Sequence, residues 1–213
     1  MATTTTHYGF DIPQSTDLVK DGATAIATLG QDIDTAMNTA LGTNKAGMVL
    51  LNTTSFSGVS SQSVNDVFSA TYDNYRIVFE LDETSGTGGT GINMRLRVGG
   101  SDNTSANYFN HRFFGQSTNV TGAGNTTADT SWLSVSEYDN VGMSTTLFDI
   151  FSPFRTATTS LVSTGQFRYT SFYQHSFVKT GQTTVTTSYT GFTILPTAGT
   201  LTSGRITVYG YNK

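Results

Sequence analysis

From residue 74 onward the chain alternates with a period of two. Tyr75, Ile77 and Phe79 are aromatic or apolar, and the charged Arg76 and Glu80 fall between them. Such a period in β-branched and aromatic residues marks a strand with one buried face. A helix is excluded, because its apolar residues would recur every three or four positions. The stretch 67–81, VFSATYDNYRIVFEL, predicts a strand, a tight turn and a second strand. The turn falls at residues 71–74, where Asp73 and Asn74 tolerate left-handed backbone and bond their own main chain.

The same pattern recurs to the end of the chain. Apolar or aromatic runs at residues 48–51, 55–67, 92–98, 107–115, 131–138, 145–154, 160–178, 183–195 and 204–211 are separated by Gly, Ser, Thr and Asn. Residues 119–130 read as a long polar loop. About eight to ten strands with no helix between them predict an antiparallel β-sandwich, jelly-roll-like in organisation. Composition agrees. Only 12% of the residues are charged, against the usual quarter, and Thr, Gly and Asn fill the difference. A surface this poor in charge lacks a common defence of sheet edges, so edges covered in an assembly are expected.

Residues 1–45 differ from the rest. Residues 1–14 form an extended arm in which Tyr8, Phe10, Ile12 and Pro13 make a sticky segment: a staple onto the next helix or a docking peptide. Residues 15–45 hold one helix and a linker, capped by Ser15, Thr16 or Asp17 and stopped at Gly42. Val19, Gly22, Ile26, Leu29, Ile33, Ala36 and Ala40 recur at spacings of three and four, an a/d heptad seam. The seam is thin, and its helix is marginal in isolation. It fits either an amphipathic helix packed on its own domain or one strand of a short trimeric bundle. Residues 46–213 complete the chain as the sandwich domain.

Several chemistries find little in the sequence. A formal net charge of −4, with scattered basic residues, argues against a nucleic-acid binder. There is no Cys, hence neither disulfide nor thiolate chemistry. No apolar run is long enough for membrane insertion, and the N-terminus lacks the pattern of a secretory signal. The Gly-rich residues 86–91 lack the Lys-Ser/Thr ending and the following helix of a phosphate loop. No catalytic motif accompanies His7, His111 or His175; Glu80, Asp82, Glu83, Glu137 and Asp139 are the candidates for a glycan-cleaving carboxylate pair, but acids at strand ends beside loops are ordinarily solvated. No catalytic residues, no metal site and no cofactor are expected. Asp102, Asn103 and Asn107 cluster oxygens, but their spacing fits an Asx turn better than a Ca²⁺ loop. Carbohydrate recognition fits better. Sugar C–H faces stack on flat rings while Asn and His bind hydroxyls, which makes Tyr108, His111, Trp132 and Tyr138, with Asn107 and Asn110, the candidate glycan-binding set. Core packing competes for the same residues, since about half of a strand's aromatics face inward.

Two stretches carry a resemblance. The segment YGFDIPQSTDLVKDGATAIATLGQDIDTAM is similar to one near the start of many tailed-bacteriophage virion proteins. VFSATYDNYRIVF, with GFTILPTAGTLTSGRITVYGYNK at the end, resembles the β-sandwich of phage tail and head fibre proteins. Residues 102–162 carry no such likeness. The resemblance implies a virion protein on the particle exterior: a homotrimeric fibre docked on other virion proteins through residues 1–41, its sandwich binding host surface polysaccharide. The alternative is a purely structural capsid decoration, or a tail or neck connector.

Overall fold

The computed structural model describes residues 3–6, 8–12, 18–41, 47–86, 89–116, 119–138, 143–169 and 173–212. Pro13, the expected cap at residues 15–17, the Gly42 stop and His7 lie outside them, as does the side chain of Val19. The chain divides into two compact units, Met1–Gly47 with Asn212, and Met48–Tyr211 with Lys213.

In the first unit, β1 (Thr3–Thr4) and β2 (Asp11–Ile12) form a two-stranded antiparallel ribbon. Its turn is closed by Gly9 at φ 68° and by the Phe10 N–H, which donates to Thr5 Oγ1 at 3.0 Å. Tyr8 and Phe10 stack at 5.6 Å. The helix α1 spans Val19–Leu41. The Leu18 carbonyl accepts from the N–H groups of both Asp21 and Gly22 and so opens the first turn. Thr28, Thr35 and Thr39 donate their hydroxyls to carbonyls one turn back, a back-bond that slightly weakens and bends a helix.

The second unit is the expected mainly β fold, 13 strands in two antiparallel sheets. In chain order they are β3 (Met48–Val59), β4 (Gln62–Val64), β5 (Asn74–Thr84), β6 (Thr90–Val98), β7 (Ser101–Asp102), β8 (Tyr108–Gln116) and β9 (Asn119–Gly124). Then come β10 (Trp132–Tyr138), β11 (Ser144–Phe151), β12 (Ser160–Tyr169), β13 (Tyr173–Thr183), β14 (Gly191–Pro196) and β15 (Leu201–Tyr211). The larger sheet runs β3-β15-β5-β11-β12-β13-β8-β9. The smaller runs β10-β6-β14-β4, with β7 on β6 through a Gly99-Gly100 turn at positive φ.

The core fills the space between the sheets. Phe56, Phe79 and Phe148 form a row across β3, β5 and β11, with ring centroids 6.0 and 6.1 Å apart. From the smaller sheet Ile92, Met94, Leu96, Phe192 and Ile194 face them, all fully buried. Alternation along β5 and β6 thus divides their residues between core and surface as expected.

Three expectations are corrected. Residues 67–70 are not a strand. The Phe68 N–H bonds the Thr190 carbonyl, and the Tyr75 hydroxyl accepts from Ser69 N–H and donates to the carbonyls of Ser69 and Tyr72. The segment therefore closes one end of the sandwich with buried Val67 and Phe68. Residues 48–59 are one long strand rather than pieces of two. Part of the expected polar loop at 119–130 is strand β9, every residue of which is exposed. An edge strand with no buried face carries no alternation to read; its order comes from the ladder to β8.

Candidate functional site

Burial overturns most of the expected glycan set. Trp132 and Tyr108 are 0% exposed and Tyr138 is 2%. Tyr108 and Trp132 meet edge-on at 5.5 Å. The Tyr108 hydroxyl accepts from Leu96 N–H and donates to the Asn103 carbonyl, and burial raises its pKa far above the ordinary 10.0. Tyr138 ties the sheets together by donating to the Asp82 carbonyl at 2.8 Å. Asn107 and Asn110 are buried as well. These residues are core because β8 and β10 turn them toward the opposite sheet. Their faces are unavailable to a sugar.

His111 alone of the set is exposed. It lies on the outer face of β8, its ring against the backbone of Gly124 on β9. A Cβ on Gly124 would fall 2.5 Å from ring atoms, so glycine there lets the imidazole lie flat. His111 borders a groove of about 430 Å³ on the outer face of the larger sheet. The groove is lined by Phe109, His111, Phe151, Val162, Thr180 and Gln182, with Gly181 in its floor. Four adjacent strands supply it, β8, β13, β12 and β11, in a register fixed by the pairs Thr180–His111 and Gln182–Phe109. Phe151, at the end of β11, is partly exposed. The arrangement offers aromatic carbon beside hydroxyl, amide and imidazole donors. Sequence reasoning missed Phe109, Phe151 and Gln182 because which face of an aromatic strand points outward is set by pairing, not by composition.

Between the sheets sits a polar cluster. Lys179 on β13 is 1% exposed and donates to Glu137 Oε1 at 2.6 Å and to the carbonyl of Ser134, both on β10. Burial pushes the Lys179 ammonium below its ordinary 10.5, and Glu137 pulls it partly back. Ser134 has φ 47° and lies where the β10–β6 register shifts; its N–H donates to Asn93 Oδ1 at 2.7 Å. The lysine pins this bulge to the opposite sheet.

Of the acids read as solvated, Glu80 and Glu137 are paired and Asp82 is exposed. Glu80 accepts two bonds from Arg205, at 2.6 and 2.8 Å. Asp149, opposite Arg76 in the ladder, accepts a fork from its guanidinium at 2.7 and 2.9 Å and a third bond from Tyr211 at 2.6 Å. Asp139 and the side chain of Glu83 lie outside the described residues. Asp102 is held by Arg97 and by the Thr193 hydroxyl, while Asn103 Oδ1 accepts from Ser105 N–H at 3.1 Å, an Asx turn. Among the described residues no three His, Cys, Asp or Glu side chains gather as metal ligands, and no helix is long and apolar enough to cross a membrane.

Of the docking residues, Tyr8 and Ile12 are exposed and Phe10 is half-buried. On α1, Ile26 is 66% exposed and Ile33 40%, with Leu29 half-buried. Searches for a matching family model, a matching curated protein or a matching solved structure all end without one.

Proposed function

We propose that this chain is a non-enzymatic glycan-binding fibre protein of a bacteriophage virion, with the groove over β8, β13, β12 and β11 as its sugar site. The single observation that carries the binding reading is that groove. It sets Phe109 and Phe151 beside His111, Thr180 and Gln182 on a rigid sheet face. Stacking rings with hydroxyl-binding side chains are what a neutral sugar requires, and a pre-formed site loses little entropy on binding. The likeness of residues 8–37, 67–79 and 191–213 to virion fibre proteins supports the place of action.

The helix supports self-association. Ile26 and Ile33 are seven residues apart, two turns along one stripe, and both are exposed. A 23-residue helix containing Gly22 and Gly30 loses roughly 2 kcal/mol to its glycines and gains stability by burying that stripe between copies. With the likeness to virion proteins, this supports reading the chain as a homotrimer docked through residues 1–41.

The burial of Trp132, Tyr108 and Tyr138 favours a second reading, a decoration or connector protein that binds no receptor. The full-length protein on an array of bacterial surface glycans separates the two. Saturable binding that Phe151→Ala and His111→Ala each weaken at least tenfold supports the groove. No binding by folded protein, or binding unchanged in both variants, overturns it.

A further inference from the structure

The larger sheet ends in two open edges. Among the described residues β3 pairs only with β15, and β9 only with β8. An open edge presents a row of unpaired N–H and C=O groups, which proteins ordinarily blunt with charge, proline, a bulge or a very short strand. The smaller sheet does so. Its edge strand β10 carries Glu137 and shifts register, β4 is three residues long and β7 two. The larger sheet has far less protection. Neither β3, MVLLNTTSFSGV, nor β9, NVTGAG, holds a charge or a proline. β3 bulges at Leu51 and turns left-handed at Gly58 (φ 65°), which leaves residues 52–57 regular, six residues to match the six of β9. Both edges also show apolar side chains. Val120 on β9 is 80% exposed and Leu50 on β3 is 58%.

Strand direction makes the two edges fit each other. Every neighbouring pair in this sheet is antiparallel. Eight strands therefore alternate, and β3 and β9 point opposite ways. Rotation about an axis along the strands keeps each direction. A β9 edge set against β3 of a rotated copy thus continues the antiparallel order, the more stable of the two ladders. The faces agree as well, since one register row crosses all eight strands from Thr53 to Gly122. A two-fold axis brings like patches together, whereas a three-fold ring joins two different ones. This chain carries two different open edges of matching length.

We infer that β9 of one copy adds to β3 of the next, and that three such junctions close a ring. The inference rests on the trimer reading of the helix and gives that trimer a second interface, in the sandwich. Main-chain bonds hold the junction, and Val120 and Leu50 lose their exposure in it.

The chain has no Cys, so introduced thiols report on the junction alone. In the full-length protein, Val120→Cys is combined in turn with Leu50→Cys, Thr53→Cys, Ser55→Cys and Ser57→Cys, all exposed positions, and the variants are oxidised. Within one copy the edges lie seven strand spacings apart, each about 4.8 Å, whereas a disulfide joins Cα atoms about 5–6 Å apart. The expected result is a covalent trimer on a denaturing, non-reducing gel from at least one double variant, and monomer from every single variant. Unchanged far-ultraviolet circular dichroism shows that each variant folds. Monomer from all four double variants overturns the inference. Covalent dimer from a single variant overturns it in favour of two-fold pairing, and a ladder beyond three copies in favour of an open filament. Sedimentation equilibrium of the parent separates this inference from the reading beneath it. A trimeric parent with no cross-link in the panel means that the edge inference alone fails. A monomeric parent sinks the trimer reading, and this inference with it. Cross-linking undiminished by Ile26→Asp with Ile33→Asp removes the helix from the assembly and leaves the junction standing.

Discussion

Trp132 is the chain's one tryptophan, and substitution there separates core from binding surface. The indole is 0% exposed, packs edge-on against Tyr108 at 5.5 Å and lies against the backbone of Gly181, where an added Cβ would fall 2.6 Å from Nε1. A buried tryptophan covers about 200 Å², about 5 kcal/mol as an upper bound at 25 cal/mol per Å². Trp132→Ala is therefore expected to cost about 3–5 kcal/mol, a fall in Tm of about 6–20 °C for a domain of this size. Trp132→Phe should behave quite differently. Phenylalanine keeps the edge contact with Tyr108 and loses about 1–2 kcal/mol of packing. It also removes the indole N–H, which is buried with no hydrogen-bond partner among the described residues, and burial of such a donor costs about 1–3 kcal/mol. The two effects nearly cancel, so the expected net change is within about 1 kcal/mol. Urea unfolding of the full-length protein followed by circular dichroism measures both, with the slope m unchanged. A cost below about 1 kcal/mol for Trp132→Ala would refute the core placement. A Trp132→Phe cost equal to that of Trp132→Ala would refute the cancellation and assign the indole N–H a partner.

Tyr75→Phe removes a hydroxyl that makes three bonds to residues 69–72 and should cost about 1–3 kcal/mol by urea unfolding, with amide exchange faster at Ser69 than elsewhere. Burial alone would raise the pKa of Asp149, but the bonds from Arg76 and Tyr211 outweigh it and the net shift is downward from 3.8. A depressed carboxylate stabilises the fold above its unfolded pKa, and that stability is lost as pH falls through the folded value. Asp149→Asn should therefore unfold more readily at neutral pH, by about 1–2 kcal/mol. The gap to the parent should close below pH 3.8 in thermal melts, and a gap constant with pH would count against the ion pair. Ile26→Asp with Ile33→Asp should convert the proposed trimer to monomer in sedimentation equilibrium while the β signal in circular dichroism is kept; a parent that is already monomeric, or an unchanged mass, would remove the helix from the assembly.

How far the site was legible depends on what each strand has to hide. On β5, Tyr75, Ile77 and Phe79 must be buried, Arg76 and Glu80 must not, and the alternation states both. On β8, nearly every residue is aromatic or polar, so Phe109, His111 and Phe113 on one face and Tyr108, Asn110 and Arg112 on the other look equally fit for either side. Tyr108 and Trp132 were therefore natural candidates for a sugar platform, and their burial was a matter of pairing.

By itself, then, the amino-acid order determined a helix with a heptad stripe followed by a mainly β domain, because period and propensity act over a few neighbouring residues. The tertiary structure decided which aromatics are core, that the polar run Asn119–Gly124 is an edge strand, and that Lys179 and Arg112 meet on Glu137. Those pairs lie tens of residues apart in the chain. Their meeting depends on strand order and register, set by the whole sandwich burying its apolar faces at once, and no local pattern encodes it.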